Sequence, residues 1–170
     1  MLLNSEHTTQ YLCRLLADLL LRIELKLVTA ESCTGGMIAA ACTDLAGSSN
    51  WFERGFVTYS NEAKTDMLGV DAALILAHGA VSEAVARAMA FGAIRHSAAQ
   101  VSIAVTGVAG PTGGSTSKPV GTVWFGWCVQ GQLHSEMMRF DGDRAAVRSQ
   151  TVVHALKRIL DLVSAVESFS

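Results

Sequence analysis

The residues most suited to chemistry form a short run that begins at Ser32 and reads Ser-Cys-Thr-Gly-Gly. Ser32 and Thr34 carry hydroxyls and Cys33 carries a thiol, so each is a candidate nucleophile or ligand contact. A tight turn at Gly35 and Gly36 would point backbone N–H groups outward, which suits an anion or a developing oxyanion. The structural alternative is that Ser32 or Thr34 only caps the helix that follows.

The elements around this run predict where it lies in a sheet. Residues 27–30 are apolar and β-branched, which is typical of a buried strand, and residues 37–41 are strong helix formers. A second glycine loop at 106–114 follows another apolar strand predicted over 101–105. Ligands of open α/β sheets bind outside the carboxyl ends of the strands. Neither loop has the spacing of a P-loop or a dinucleotide fingerprint, so ATP or NAD bound in those manners is not expected.

A lysine near the start of a predicted helix is a candidate general base. Lys64 falls at about the third position of a helix predicted over 62–68, with Asn61 as its N-cap. Cations are disfavoured at a helix N-terminus, and that field lowers the pKa of a lysine, as a general base requires. The alternative is a solvated surface lysine, which is the ordinary fate of this residue.

Two arginines begin the last predicted helix, which spans 144–166. Arg144 and Arg148 are four residues apart and therefore share a face, where they could bind a phosphate together with the helix N-terminus. The alternative is a pair of surface arginines near Asp141 and Asp143, and the sequence leaves both interpretations open.

Length and composition favour a single α/β domain of 170 residues. Half of the residues are hydrophobic and only 16% are charged, which excludes disorder over most of the length. Fifteen glycines against two prolines suit tight strand-to-helix turns. The formal net charge is -2 and no Lys/Arg block occurs, so no nucleic-acid partner is expected.

Neither a membrane partner nor a metal is predicted. The N-terminus lacks the pattern of a signal peptide, and the longest uncharged stretch, 97–117, is interrupted by glycines and a proline. The four cysteines form no CxxC pair and no Cys/His cluster, which indicates reduced, mostly buried thiols in a cytoplasmic protein. They are Cys13, Cys33, Cys42 and Cys128.

The remaining patterns predict a mixed sheet between helices. Residues 1–7 are expected to be a loose end before a helix that begins at Thr8 or Thr9. A strand is predicted over 55–60, and the strands at 120–129 and 132–140 form a hairpin.

Six stretches together resemble one known family. They read AESCTGG at 30–36, GSSNWFERGFVTYSNEAK at 47–64, HGAVS at 78–82, TGVAGPTGG at 106–114, KPVGTVW at 118–124 and GDRAAVR at 142–148. Over nearly its whole length the chain resembles the CinA C-terminal domain family, the bacterial nicotinamide-nucleotide amidases. The resemblance implies one three-layer α/β/α domain over 1–170 with a mixed, largely parallel sheet, in the stand-alone form without the N-terminal domain of longer members.

The resemblance also implies an activity and its residues. Members hydrolyse nicotinamide mononucleotide to nicotinate mononucleotide and ammonia in pyridine nucleotide recycling, with no cofactor. Ser32 matches the family serine expected to be the nucleophile, and Lys64 and Tyr59 match residues suited to activating it. Tyr59 is expected to relay the proton or to hold Lys64 in place.

Further residues are expected to bind the nucleotide. The oxyanion is assigned to the Gly35–Gly36 turn, and the 5′-phosphate to Arg144. Ser48 is the reserve candidate for nucleophile or substrate contact. The other expected substrate contacts are Thr34, Thr106, Gly107 and Gly110.

Several alternatives remain at this stage. Cys33 is a weaker candidate nucleophile than Ser32, because no histidine lies in the glycine loops to activate it. A non-catalytic nucleotide-binding module acting through a protein partner is the second hypothesis, and a metal-dependent nucleotide hydrolase is the third. A homodimer is expected. The turn at 22–26 departs from the family pattern because it lacks a glycine.

Overall fold

A computed structural model describes residues 5–168, which contain six α-helices, one short 3₁₀ helix and five strands. The elements are α1 (Ser5–Arg22), β1 (Leu27–Glu31), α2 (Met37–Thr43), the 3₁₀ helix (Ser48–Asn50), β2 (Phe52–Val57), α3 (Asn61–Leu68), α4 (Ala72–His78), α5 (Glu83–Arg95), β3 (Val101–Gly107), β4 (Thr122–Val129), β5 (Gln132–Arg139) and α6 (Arg144–Glu167).

Two predicted boundaries are corrected. The first helix begins at Ser5, so residues 5–7 form its first turn, whereas residues 1–4 of the expected loose end lie outside the described residues. The second strand runs over Phe52–Val57, about three residues earlier than predicted, because its parallel pairing with β1 ends at Glu31↔Val57. Tyr59 therefore lies in the loop between β2 and α3.

The sheet is mixed, with the strand order β2-β1-β3-β4-β5. The central strand β1 pairs in parallel with β2 and β3, whereas β3–β4 and β4–β5 are antiparallel. Two of the four pairings are thus parallel. The predicted hairpin turn is confirmed: Gln130 (φ 47) and Gly131 (φ 86) both take positive φ, as in the tight turn whose twist matches antiparallel strands.

Helices cover both faces of the sheet, which confirms the three-layer α/β/α fold. Alternate side chains of each strand enter opposite cores, because successive residues of a strand face opposite sides. One core joins the sheet to α1, α2 and α6, and its large members include Leu16, Leu20, Phe125, Trp127 and Leu156. The other joins it to α3, α4 and α5, and includes Val28, Leu68, Val85, Met89 and Ala104.

The four cysteines are buried and free of disulfides, as predicted. Within residues 5–168, the structure contains no helix with both the length and the apolar character to cross a membrane.

The turn between α1 and β1, where the sequence lacks the glycine expected from the family pattern, contains a left-handed residue. Its conformation leads to a first prediction. Glu24 takes the left-handed conformation there (φ 56), which costs a residue with a Cβ about 1–2 kcal/mol. Glycine lacks that cost but loses about 0.5–1 kcal/mol more backbone entropy on folding. We therefore expect Glu24→Gly to raise the free energy of unfolding by about 0.5–1 kcal/mol, measured by urea denaturation. Glu24→Ala is the control and should not raise the free energy of unfolding. An unchanged free energy of unfolding in Glu24→Gly would show that the left-handed conformation of Glu24 carries no such cost.

Candidate active site

Both glycine loops lie at one edge of the sheet because they follow neighbouring parallel strands. β1 and β3 pair up to Glu31↔Val105, and the backbone N–H of Ser32 donates to the carbonyl of Val105 at 3.0 Å. A cavity of about 360 Å³ opens at this edge, against the β2–α3 loop and the start of α6. Its lining includes seven of the predicted site residues: Ser32, Tyr59, Lys64, Thr106, Gly107, Gly110 and Arg144.

A serine and a lysine meet at the bottom of the cavity. Lys64 is only 1% exposed, and its Nζ lies 3.1 Å from Ser32 Oγ. The same nitrogen lies 2.9 Å from the carbonyl oxygen of Thr58 and 3.4 Å from those of Tyr59 and Ser60. The burial of Lys64 excludes the surface-lysine alternative, and its contacts aim the amine at one hydroxyl.

Burial lowers the pKa of Lys64 below its ordinary value of 10.5, and the neighbouring Cys33 opposes this shift. The sequence predicted the direction from the helix N-terminus, whereas the structure gives desolvation as the main cause. A buried ammonium is disfavoured relative to the neutral amine. The neutral amine carries the lone pair that accepts a proton from a serine hydroxyl.

The neighbouring thiol is poorly suited to be the nucleophile. Cys33 lines the cavity but is only 5% exposed, and burial raises the pKa of its thiol to about 11. The thiolate is the reactive form of cysteine, and at neutral pH this thiol stays protonated. This comparison favours Ser32 over Cys33.

The turn after β1 is capped by a side chain that the sequence did not single out. Glu31 is 1% exposed, and its carboxylate accepts hydrogen bonds from the N–H groups of Ile38 and Ala39 at 2.8 and 3.0 Å. The hydroxyl of Thr34 also donates to Glu31, at 2.7 Å. Thr34 is fully buried and lies outside the cavity lining, and its role as a substrate contact stays a prediction.

The two glycines of this turn serve its backbone geometry. Gly35 (φ 58) and Gly36 (φ 105) take left-handed conformations, and the N–H of Gly35 donates to the carbonyl of Ser32 at 3.0 Å. That N–H is therefore engaged within the turn, and neither glycine lines the cavity. The oxyanion role of the Gly35–Gly36 turn stays a prediction, with the N–H of Gly35 directed at the carbonyl of Ser32 in this structure.

Ser48 lies at the wrong end of the sheet for a role in this cavity. It belongs to the 3₁₀ helix that precedes β2, and β2 begins opposite Leu27 and ends opposite Glu31. A parallel strand of this length separates its two ends by about 17 Å. The reserve role of Ser48 as nucleophile or substrate contact stays a prediction, and this separation from the cavity argues against it.

Tyr59 contacts an arginine rather than the lysine through its side chain. Its phenol oxygen accepts a hydrogen bond from Arg144 Nη2 at 3.1 Å, and Arg144 Nη1 donates to the carbonyl of Gly110 at 2.9 Å. Only the backbone carbonyl of Tyr59 approaches Lys64. The tyrosine therefore helps hold the lysine through its main chain, and its phenol joins Arg144 at the cavity.

The two arginines of α6 have separate contacts. Arg148 donates from Nε to the carbonyl of Cys33 and from Nη2 to that of Thr34, both at 3.1 Å. Of the two arginines only Arg144 lines the cavity, so the structure favours Arg144 alone for a ligand bound there. The carboxylate of Asp143 instead caps α6 by accepting from the N–H of Ala146 at 2.9 Å.

Thr106 and a residue missed by the sequence analysis complete the lining. The hydroxyl of Thr106 donates to the carbonyl of Ala80 at 2.9 Å, which ties the segment between α4 and α5 to the second glycine loop. Asn61 also lines the cavity. It was predicted to cap α3, but Ser60 is the cap, because its side chain accepts from the N–H of Ala63. The position of Asn61, three residues before Lys64, was the signal from which its place at the cavity could have been predicted.

Among residues 5–168, no group of three or more His, Cys, Asp or Glu side chains is placed to hold a metal ion.

Fold and site together define a three-layer α/β domain with a serine–lysine pair at the carboxyl end of its central strand. The chain belongs to the CinA family: the model of the CinA C-terminal domain matches residues 9–163. This confirms the family resemblance given by the sequence motifs.

Curated relatives and solved structures agree with this membership. The chain is 54% identical over 147 residues to "Nicotinamide-nucleotide amidohydrolase PncC" of Pseudomonas putida, which covers 86% of this chain and 92% of that protein. It is 53% identical over 132 residues to the protein of the same name from Escherichia coli K12, covering 77% and 80%. The crystal structure of the competence/damage inducible protein CihA from Agrobacterium tumefaciens superposes with a TM-score of 0.88 at 44% identity, covering 91% of this chain and 95% of that one.

Proposed function

We propose that this chain is a nicotinamide-nucleotide amidohydrolase that converts nicotinamide mononucleotide to nicotinate mononucleotide and ammonia. The observation that carries the proposal is the 3.1 Å contact between Ser32 Oγ and the buried amine of Lys64 inside the cavity. Acyl transfer from an amide needs a nucleophile and a base that returns its proton to the leaving group, and these two residues supply both. Two curated relatives bear the name of this activity.

The mechanism uses Lys64 as base and then as acid in each half of the reaction, with the proton of Ser32 in the first half and a proton of water in the second. Neutral Lys64 takes the proton of Ser32 as Oγ forms a bond to the carboxamide carbon. The resulting ammonium then donates that proton to the departing amide nitrogen, so that the C–N bond breaks and ammonia leaves an acyl-serine ester. Water attacks the ester carbon as Lys64 takes one of its protons, and Lys64 gives that proton to Ser32 Oγ as the C–O bond of the ester breaks. The carboxylic acid formed loses its remaining proton to solvent and leaves as nicotinate mononucleotide.

The direct test measures ammonia and nicotinate mononucleotide formed from nicotinamide mononucleotide, with and without EDTA. The proposal expects both products in equal amounts and rates indifferent to the chelator. Tight binding of the nucleotide by calorimetry without product would indicate the nucleotide-binding module instead. Loss of turnover in EDTA that is restored by a divalent metal would indicate the metal-dependent hydrolase.

Arg144 is proposed to bind the 5′-phosphate, because a guanidinium at the cavity can hold a phosphate with two hydrogen bonds. Hydrogen bonds to charged groups contribute about 1.5–3 kcal/mol, so we expect Arg144→Gln to raise KM about 10- to 100-fold. The measurement compares nicotinamide mononucleotide with the riboside, which lacks the phosphate.

The riboside is the control that separates phosphate binding from damage to the site. Arg144→Gln should lower kcat/KM for the mononucleotide and leave kcat/KM for the riboside nearly unchanged. Arg139→Gln, an exposed arginine on β5, should affect neither substrate. An equal loss on both substrates would show that Arg144 does not act through the phosphate.

The proposal extends to a homodimer in the cytoplasm. Large apolar side chains are exposed on or near α3 and α4, with Leu76 89% exposed and Val57 46% exposed. A contiguous patch of such side chains would favour contact with a second copy. Light scattering of the purified protein tests the dimer, and a monomer at assay concentration would exclude it.

A further inference from the structure

The turn that carries Ser32 is held by charged side chains on two sides. Glu31 binds it from the strand side through the hydroxyl of Thr34 and the first N–H groups of α2. Arg148 reaches it from α6, which lies more than 110 residues further along the chain. The turn leaves the side chain of Ser32 directed at Lys64, while its backbone is fixed elsewhere.

The contact of Arg148 with this turn has a fixed geometry. Its guanidinium donates to two successive carbonyls, those of Cys33 and Thr34, with both distances at 3.1 Å. A Cβ added at Gly35 would lie 3.5 Å from Arg148 Nη2, so the guanidinium packs directly against this glycine. A planar fork that binds two backbone acceptors restrains both the position and the orientation of the peptide plane between them.

We propose that Arg148 is a positioning residue that holds Ser32 at attacking distance from Lys64 and substrate, which rests on the proposed function. Cys33 and Thr34 follow Ser32 directly in this turn, so a shift of their carbonyls moves the Oγ of Ser32 relative to the Nζ of Lys64. A misplacement of about 1 Å in a reacting group can cost about 100-fold in rate. Arg148 is outside the cavity lining, so its effect is on the chemical step and not on the binding of substrate.

The rigidity of α6 supports this role. The helix runs from Arg144 to Glu167, and its side chains Val147, Val152, Leu156 and Ile159 are buried in the core on that face of the sheet. Arg148 therefore extends from an anchored element to a turn whose backbone, apart from the bond of the Ser32 N–H to Val105, makes only local hydrogen bonds of its own. A loop in this situation is held more precisely by a group on a helix than by its own residues.

The test compares Arg148→Gln, Arg148→Lys and the matched control Arg158→Gln. Arg158 lies on the same helix but binds Glu136 of β5 at 2.6 Å, remote from the turn. Two readouts are measured at a temperature where circular dichroism shows each variant folded. The first is kcat and KM for nicotinamide mononucleotide, and the second is the rate at which phenylmethylsulfonyl fluoride modifies Ser32, followed by mass spectrometry.

The proposal expects Arg148→Gln to lower kcat about 10- to 100-fold with KM changed less than about threefold. Modification of Ser32 should slow in parallel. Arg148→Lys keeps the charge but not the fork, so it should recover only part of the rate. Arg158→Gln should match the wild type in both readouts. A rise in KM with unchanged kcat would make Arg148 a substrate ligand and overturn the proposal. Wild-type values in both readouts would also overturn it.

Failure of the proposed function is distinguishable from failure of this inference. If the wild type releases no ammonia, the proposed substrate is wrong, and the modification rates of Ser32 still decide whether Arg148 positions it. If Arg148→Gln is unfolded at every temperature, the comparison rests on Arg148→Lys, which should still show reduced kcat at unchanged KM. If phenylmethylsulfonyl fluoride does not modify Ser32 in the wild type, Ser32 is not an activated nucleophile. That result would overturn both its proposed role and its positioning by Arg148.

Discussion

Ser32→Ala is expected to lower kcat for nicotinamide mononucleotide by at least about 10⁴-fold, while the nucleotide still binds. The substitution removes the only atom that forms the bond to the substrate carbon in the proposed mechanism. It removes one buried hydroxyl and leaves the turn intact, since the backbone contacts of Ser32 with Val105 and Gly35 do not involve its side chain. Product release and calorimetric affinity are measured on the same preparation.

Cys33→Ala and Ser48→Ala are the matched controls for this experiment. Each removes a nucleophilic group that the sequence offered as an alternative, and each should keep kcat within a few-fold of the wild type. If Ser32→Ala keeps substantial turnover and one of the two controls loses it, the residue replaced in that control is the nucleophile. Trapping of an acyl-enzyme on Ser32 by rapid quench and mass spectrometry would support the covalent route directly.

Lys64→Met is expected to lower kcat about 10²- to 10⁴-fold, the range that general acid–base catalysis supplies. Methionine has similar length and no proton-accepting nitrogen, so the substitution tests the amine more than the volume. Lys26→Met replaces an exposed lysine and should leave turnover unchanged. Retention of near-normal turnover by Lys64→Met would remove lysine from the mechanism.

The pH profile gives the sign of the lysine effect. The proposed mechanism needs the neutral amine, and burial lowers the pKa of Lys64 below 10.5. We therefore expect kcat/KM of the wild type to rise with pH and to level off above that lowered pKa. The residual activity of Lys64→Met should lack this rise. A wild-type rate that falls with rising pH over the same range would indicate a protonated lysine.

The same lowered pKa affects stability. Between the pKa of folded Lys64 and 10.5, the unfolded chain binds more protons at this residue than the folded chain does. The free energy of unfolding therefore rises with pH in that window through Lys64, and this contribution is absent at lower pH, where the lysine is protonated in both states. Subtracting the Lys64→Met curve from that of the wild type should isolate the rise in urea denaturation.

Local patterns were sufficient to predict the α/β framework and the two loops that meet at the site. A strand followed by glycines and a helix places its polar residues at the carboxyl end of that strand, whatever the rest of the chain does. This placed Ser32, Thr106 and the second loop correctly. It also predicted the lowered pKa of Lys64, although through the helix terminus and not through burial.

The same local reasoning could not identify the partners of individual polar groups. It did not predict that the hydroxyl of Thr34 binds Glu31 or that the N–H of Gly35 binds the carbonyl of Ser32. It also did not predict that one strand length separates Ser48, before β2, from Tyr59, after it. In each case a short-range signal was consistent with two arrangements, because every hydroxyl and N–H group has several acceptors within reach.

The order of the main elements, the glycine turns and the family could be predicted from the sequence, because each follows from side-chain periodicity and short motifs. Three contacts depend on the tertiary structure: Lys64 lies 3.1 Å from Ser32, Tyr59 binds Arg144, and Arg148 binds the turn after β1. These contacts join residues that are 32, 85 and 115 positions apart. A buried polar group bonds to whichever partner the packing of distant elements brings to it, and no local pattern contains that information.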